Sequence, residues 1–363
     1  MKIGMLHLFE NPVGKSEHEI IHEQMNLMYE AENLGFDSVW PAEHHFSEYG
    51  WCASPQVSLA AVAAKTKRIR LGTGVVVLPF HNPIRVAEDF AFLDLMSDGR
   101  VDFGVGRGYQ PIEFKGFGIA DKQAESRAMF DEAIELIRKC WTEERVTYKG
   151  KYYQVEDLEV RPKPLQAPHP PIYMGCLSPA TFRLAGRHGF NVMTSGAFGL
   201  TAEQAKQGVA DYRAGRAEAG HDPAGGKVAL MLKTYTGDTM DGSRKDYGGP
   251  CQWYYDTIAK YVAPPIGQDG IKSYEMYAAG RGRKVEFERI VNTPLMVVGD
   301  VEHCVEKISR VALEYGFDEK LCWTRIGGLE TKKVMRSMEL MSGQVMPRVR
   351  KLIAEGTAKV AAE

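Results

Sequence analysis

Apolar positions along the chain keep two alternating rhythms: short β-branched or apolar runs, and longer segments with helical spacing. The first strand is expected at Lys2 to Leu8, and a helix from Glu17 to Leu34 follows it. That helix ends at Gly35, a residue suited to the left-handed turn after a helix. Next come a strand at Ser38–Pro41, a helix at Pro55–Lys65 and a strand at Ile69–Leu78. Pro83–Met96 reads as a helix, with proline at its start and Gly99 beyond its end. Strand Val101–Val105, a loop and a long helix from Gln123 to Trp141 complete the fourth unit.

After this the rhythm breaks. The run Val146–Val155 alternates aromatic and polar residues around Lys149-Gly150 and predicts an inserted hairpin. The pattern resumes with strand Pro171–Cys176, helix Pro179–His188, strand Asn191–Thr194, helix Ala202–Ala219 and strand Lys227–Tyr235. A late strand near Lys320–Ile326 makes the eighth. Strand-then-helix order repeated in this way favours a parallel sheet with helical crossovers, and eight units favour a closed (β/α)8 TIM barrel. A single domain over residues 1–363 is expected. The stretch Ala263–Asn292, rich in Pro, Gly and Arg, has no clean period. It reads either as a surface excursion or as a mobile lid before the last helix–strand unit.

Composition narrows the partners. The net charge is −2, so no electrostatic case exists for nucleic acid or an anionic membrane. No apolar run approaches the roughly 18 residues of a membrane span. The first residues lack the long apolar segment of a signal peptide, so a cytoplasmic location is expected. The six cysteines are scattered and form no C-x-x-C pair, which suggests neither a zinc site nor a disulfide framework.

Four segments carry candidate chemistry, and each has a plainer reading beside it. Glu43-His44-His45-Phe46 directly follows the second strand, on the catalytic face of a barrel. One imidazole there suits acid/base work at neutral pH, or the pair simply hydrogen-bonds neighbouring loops. A metal would need further ligands, and no second histidine cluster stands out among the ten histidines, so no metal is expected. Gly104-Val105-Gly106-Arg107-Gly108 fails as a dinucleotide fingerprint, because Tyr109 occupies the third glycine position. Its glycines permit close backbone approach to a ligand, with Arg107 placed to grip a phosphate; a glycine-rich turn with a solvated Arg is the alternative. Ser178-Pro179-Ala180-Thr181 opens a helix, so Ser178 is either a helix cap or part of an anion site. Gly72 and Gly74 lie inside a β-branched strand, marking either a ligand's approach or a bend.

These segments resemble the bacterial luciferase family. The likeness runs through Gly35–Phe46, Leu71–Pro79, Pro83–Arg100, Phe103–Gly108, Pro171–Thr181, Trp253–Asp256 and Leu340–Pro347, spanning nearly the whole chain. The resemblance implies a barrel that binds reduced FMN, reacts it with O2 and oxygenates a small organic substrate through a flavin C4a-(hydro)peroxide. By the same resemblance His44 is the catalytic imidazole, and Arg107, Ser178 and Thr181 hold the FMN phosphate. Cys176 and Leu177 belong to the same cofactor-binding turn. Gly74 and Val75 are expected to share a cis peptide bond beneath the flavin ring, with Met193 and Ser195 beside it.

Further implications are a separate flavin reductase as partner, a mobile active-site loop at Ala263–Asn292, and a homodimer through the helices Pro55–Lys65 and Pro83–Met96. Two departures bear on the substrate. Gly106 stands where light-emitting α chains carry a reactive cysteine, and Leu177 stands where they carry an acidic residue. The alternatives are an F420-dependent oxidoreductase of the same superfamily and a non-catalytic flavin-binding partner subunit.

Overall fold

The computed structural model describes residues 1–196, 201–261 and 286–356. Strand β1 (Lys2–His7) is followed by helix α1 (Glu17–Asn33), whose entry Ser16 and Glu19 fix with a reciprocal capping box. Gly35 takes φ +79° immediately beyond it, as its place after the helix predicts. Then come β2 (Ser38–Pro41), α2 (Pro55–Lys65), β3 (Arg70–Gly72), β4 (Val76–Val77) and α3 (Pro83–Met96), the last capped by Asn82. Next are β5 (Val101–Gly106), α4 (Pro111–Gly116) and α5 (Ser126–Thr142). The expected hairpin is present as β6 (Val146–Lys149) and β7 (Gln154–Leu158), paired antiparallel outside the barrel.

The second half runs β8 (Ile172–Gly175), α6 (Pro179–Arg187), β9 (Asn191–Ser195), α7 (Ala202–Glu218), β10 (Val228–Thr236) and α8 (Met240–Tyr261). It ends with α9 (Phe287–Ile290), β11 (Met296–Gly299), α10 (Val301–Tyr315), β12 (Glu319–Trp323), α11 (Thr331–Leu340) and α12 (Met346–Gly356). Parallel pairing runs β10-β12-β1-β2-β3-β5-β8-β9, and β9 returns to β10, closing an eight-stranded parallel barrel. The architecture is therefore a (β/α)8 TIM barrel.

Three expectations change in detail. The third strand is not continuous over Ile69–Leu78: it divides into β3 and β4 around the Gly74–Val75 bond, which is cis. An unforeseen strand, β11, pairs with the far end of β10 at Lys233–Thr236, beyond the stretch that pairs with β9. The long helix expected from Gln123 begins as a 3-10 turn (Ala120–Glu125) and becomes α-helical at Ser126. Of the expected lid, residues 263–285 lie outside the described residues, and Phe287–Ile290 form α9.

Period-two alternation sets what the barrel encloses. At its N-terminal end, inward side chains pair with one another. The Arg70 guanidinium donates to Asp102 from Nε at 2.6 Å and from Nη2 at 2.7 Å, and the Tyr173 hydroxyl donates to Glu319 at 3.1 Å. Higher up, the inward residues become small or apolar (Gly74, Gly106, Gly175, Met193, Met231), and the barrel opens into a cavity.

Candidate active site

The cavity at the C-terminal ends of the strands has a volume of about 610 Å³, within the ~300–1,000 Å³ usual for cofactor sites. His44, Gly74, Val75, Gly106, Arg107, Cys176, Leu177, Ser178, Thr181, Met193 and Ser195 all line it. The four separate sequence segments thus converge on one space, as residues just past parallel strand ends in a barrel must.

His44 and its neighbour have opposite fates. His45 turns away from the cavity and donates through Nε2 to Glu43 Oε1 at 2.9 Å; His81 Nε2 reaches the same oxygen at 2.8 Å. The second oxygen of Glu43 accepts the Val77 N–H at 2.8 Å. His45 is therefore the residue that ties loops together, and Glu43 is the knot. Burial alone would raise the Glu43 carboxyl, but its bonds to His45, His81 and Val77 outweigh that and hold it below the usual carboxylate range. Burial lowers the His81 imidazole, while the hydrogen bond and charge of Glu43 more than compensate and raise it.

The depressed Glu43 stabilises the fold above its ordinary pKa and loses that effect as pH falls through its folded value. The elevated His81 stabilises below its ordinary pKa and loses that effect as pH rises through its folded value. Glu43→Gln should therefore cost about 1–3 kcal/mol, most heavily between the ordinary values of 4.5 and 6.5. Thermal melts of both proteins across that range test this; equal melting at every pH would refute it.

His44, by contrast, faces the cavity. Its Nδ1 lies 3.0 Å from Glu113 Oε1, and the same carboxylate oxygen accepts the His45 backbone N–H at 3.1 Å. Glu113 is buried on α4, a six-residue helix that follows β5. A carboxylate acceptor places the proton on Nδ1 and leaves Nε2 as the basic nitrogen. The Gln110 amide nitrogen, 3.2 Å from Nδ1, cannot then donate to it. A half-turn of that amide presents its otherwise unpaired oxygen instead, and the same oxygen can accept from the Tyr109 hydroxyl. Tyr49 packs edge-on against the imidazole at 4.5 Å between centroids. The ring is thus fixed in both tautomer and orientation.

Two and three strands around the barrel from His44, the lining carries groups that can hold an anion. Arg107 follows β5, and Ser178 and Thr181 open α6. The Ser178 N–H donates to Thr181 Oγ1 at 3.1 Å, and the two hydroxyls lie 3.3 Å apart, so they form one polar turn. Sequence reasoning missed Arg127, which brings a second guanidinium from the first turn of α5 to the same cavity. It lies 4.0 Å from Asp131 and 5.7 Å from the Phe130 ring.

Between His44 and these groups the lining is glycine and the apolar side chains of Leu6, Val75, Met174 and Met193. A Cβ added at Gly106 would stand 2.6 Å from Val75 Cγ2, and one at Gly74 would stand 3.1 Å from Leu6 Cδ1. A flat ring with a phosphate tail fits this arrangement: glycines and apolar side chains for the ring, two guanidiniums and a hydroxyl turn for the tail. Glu113, Arg127, Tyr49, Tyr254 and Trp323 also line the cavity without having been singled out from sequence. Among the described residues no group of three or more His, Cys, Asp or Glu side chains is arranged to hold a metal ion, and no helix is long and apolar enough to cross a membrane.

A parallel barrel with a large cavity at the C-terminal ends of its strands defines a class of barrel enzymes. Within that class the chain belongs to the luciferase-like monooxygenase family, whose model matches residues 1–319, and it is a flavin-dependent oxidoreductase of that family. It is 26% identical to the oxygenase component of flavin-dependent trigonelline monooxygenase from Acinetobacter baylyi, over 92% of this chain and 91% of that one. It is 27% identical to an alkanal monooxygenase alpha chain of Photorhabdus luminescens, covering 96% of each.

Among solved structures, monooxygenase RslO1 from Streptomyces bottropensis superposes with a TM-score of 0.84 at 29% identity, covering 96% of this chain and 99% of that chain. The same fold is shared, at 22% identity each, by two further structures. One is the oxygenating constituent of 3,6-diketocamphane monooxygenase of Pseudomonas putida in complex with FMN (TM-score 0.79, covering 96% of this chain and 98% of that one). The other is an F420-dependent secondary alcohol dehydrogenase (TM-score 0.74, covering 96% and 99%).

Proposed function

We propose that this chain is the oxygenase component of a two-component flavin system, acting in the cytoplasm as a single domain over residues 1–363. A separate reductase supplies reduced FMN, and one atom of O2 passes to a small organic substrate. The observation that carries this reading is the pairing, in one cavity, of a two-arginine anion wall with an imidazole oriented by a buried carboxylate. FMN, when bound, supplies the oxygen chemistry. The protein supplies binding, orientation and proton handling. Arg107, Arg127, Ser178 and Thr181 hold the phosphate; Gly74, Val75 and Gly106 bed the ring; Cys176, Leu177, Met193 and Ser195 border it. His44, on the cavity with Nδ1 fixed by Glu113, accepts and returns a proton beside the reacting centre. The apolar lining of Leu6, Leu8, Val77 and Met231 keeps water away from it.

Equilibrium dialysis of the purified chain against reduced FMN and against F420 tests the cofactor. Retention of FMN at lower concentration than F420 is expected. The reverse order, with hydride transfer independent of oxygen, would establish the F420 reading instead. Absence of binding to either would favour the non-catalytic subunit.

The homodimer belongs to the same proposal. The outer faces of α2 and α3 expose Val57, Phe92, Leu95 and Met96, with Phe92 58% exposed, which is unusual for so large an apolar side chain. A second copy of the chain covers this face. Phe92→Glu should turn the dimer into a monomer in sedimentation, with an unchanged circular dichroism spectrum; a wild-type monomer would refute it.

A further inference from the structure

Across the barrel mouth from Arg107 and Ser178, the ends of the neighbouring strands β10, β12 and β1 and the turns after them carry a second polar layer. Met231, Trp323 and Leu8 line the cavity, and two residues further along come Lys233 on β10, Arg325 in the bend after β12 and Glu10 in the loop after β1, just past Phe9 with its φ of +59°. All three are buried, with 3%, 2% and 1% of their surfaces exposed. In a barrel of eight strands, β12 and β1 stand opposite β5 and β8, which carry the anion wall.

This layer holds more donors than acceptors. Lys233 Nζ, Arg325 Nε and Nη1, and Trp323 Nε1 have no acceptor among the described residues, whereas the unpaired carboxylate oxygens beside them are Glu10 Oε1 and Glu23 Oε2, the latter 3.7 Å from Arg325 Nη2. Glu10 Oε2 is engaged by the Gly327 N–H at 2.5 Å. Buried donors left without acceptors are costly, and a protein retains them where something else satisfies them. The Lys233 ammonium rests among three rings, 4.2 Å from the centroid of Tyr254, 4.5 Å from Tyr255 and 4.7 Å from Trp323. Those contacts hold a desolvated cation without neutralising it. Tyr254 and Trp323 are also cavity wall, so the ammonium lies behind that wall, on a flexible four-carbon stem. Burial pushes the Glu10 carboxyl up to about 8 and Lys233 down to about 8, and the Glu23 carboxylate pairs with Arg325, so Lys233 is the cation of this layer without a carboxylate partner among the described residues.

We propose that Lys233, with the unpaired N–H donors of Arg325 beside it behind the Tyr254–Trp323 wall, forms a recognition site for the carboxylate of an anionic organic substrate. The substrate's body lies against Tyr49, Tyr109, Tyr254 and Trp323, which favours an aromatic ring. This rests on the reading of the opposite wall as the FMN phosphate site, which leaves this end of the cavity for the substrate. One cavity then has two cationic ends, one for each anion.

Titration calorimetry with phenylacetate and with its neutral analogue phenylacetamide tests the site without requiring turnover. Wild-type protein should bind the carboxylate about tenfold or more tightly than the amide. Lys233→Met, which keeps the length of the stem, should bring the two within about twofold. Arg107→Met, at the opposite end, should leave the preference intact. Equal binding of the two probes by wild-type protein, which needs no variant, overturns the proposal. So do failure of the carboxylate to bind, and a preference that survives Lys233→Met but vanishes in Arg107→Met. None of these results depends on oxygenation, so failure of the oxygenase reading would show separately, in the flavin experiments.

Discussion

Replacing His44 with alanine is expected to lower the rate of substrate oxygenation by ~10²–10⁴-fold, the usual worth of a positioned acid/base group. Bound flavin should persist, because the phosphate wall lies on other elements. The imidazole's second nitrogen is tied to Glu113 at 3.0 Å, so the group acts as an oriented pair. Glu113→Gln should therefore reproduce part of the loss, since an amide at that position no longer demands the proton on Nδ1. Oxygen consumption should continue in His44→Ala but be diverted to hydrogen peroxide. Product and peroxide measured together separate this outcome from simple loss of cofactor: unchanged product with unchanged peroxide would remove His44 from the chemistry.

The second large effect is expected at the anion wall. Arg107→Met should weaken FMN binding by about 10–150-fold, the range of a charge-assisted hydrogen bond worth ~1.5–3 kcal/mol. Arg127→Met should act in the same direction, and the double variant should fall short of the sum, because both guanidiniums serve one dianion. Riboflavin, which lacks the phosphate, should bind the wild type and both variants alike. Fluorescence titration measures all of these. A riboflavin affinity that falls in parallel with that of FMN would show instead that the arginines hold the ring or the fold.

Much of this site is readable in the residues themselves, for a geometric reason. Parallel strands place the residues just past their C-terminal ends in one ring, so Glu43-His44-His45, Gly104–Gly108 and Ser178–Thr181 had to meet once they were assigned to strand ends. The residues alone leave the choice between His44 and His45 open, and only the resemblance singled out His44; the structure sets His44 on the cavity against Glu113 and turns His45 to Glu43. Glu113 itself carries no signal. It sits on a six-residue helix within what reads as a loop, and its partner is 69 residues distant. Arg127 was equally silent, since an arginine in the first turn of an amphipathic helix has every reason to be solvated. Strand β11 escaped because Met296–Gly299 is short and adjoins the aperiodic stretch before it. The ionic layer of Glu10, Lys233 and Arg325 runs against the sequence pattern altogether, because charged residues ordinarily mark the solvent face of an element.

The central claim is that this chain binds reduced FMN and governs its reaction with oxygen, and rapid mixing tests it most directly. Protein loaded anaerobically with reduced FMN is mixed with oxygenated buffer, and the return of oxidised-flavin absorbance is followed for wild type and His44→Ala beside free reduced FMN. Wild-type protein should delay that return well beyond the free flavin, and His44→Ala should shorten the delay. Reoxidation by both proteins at the rate of free FMN, or a bound flavin indifferent to oxygen, would contradict it.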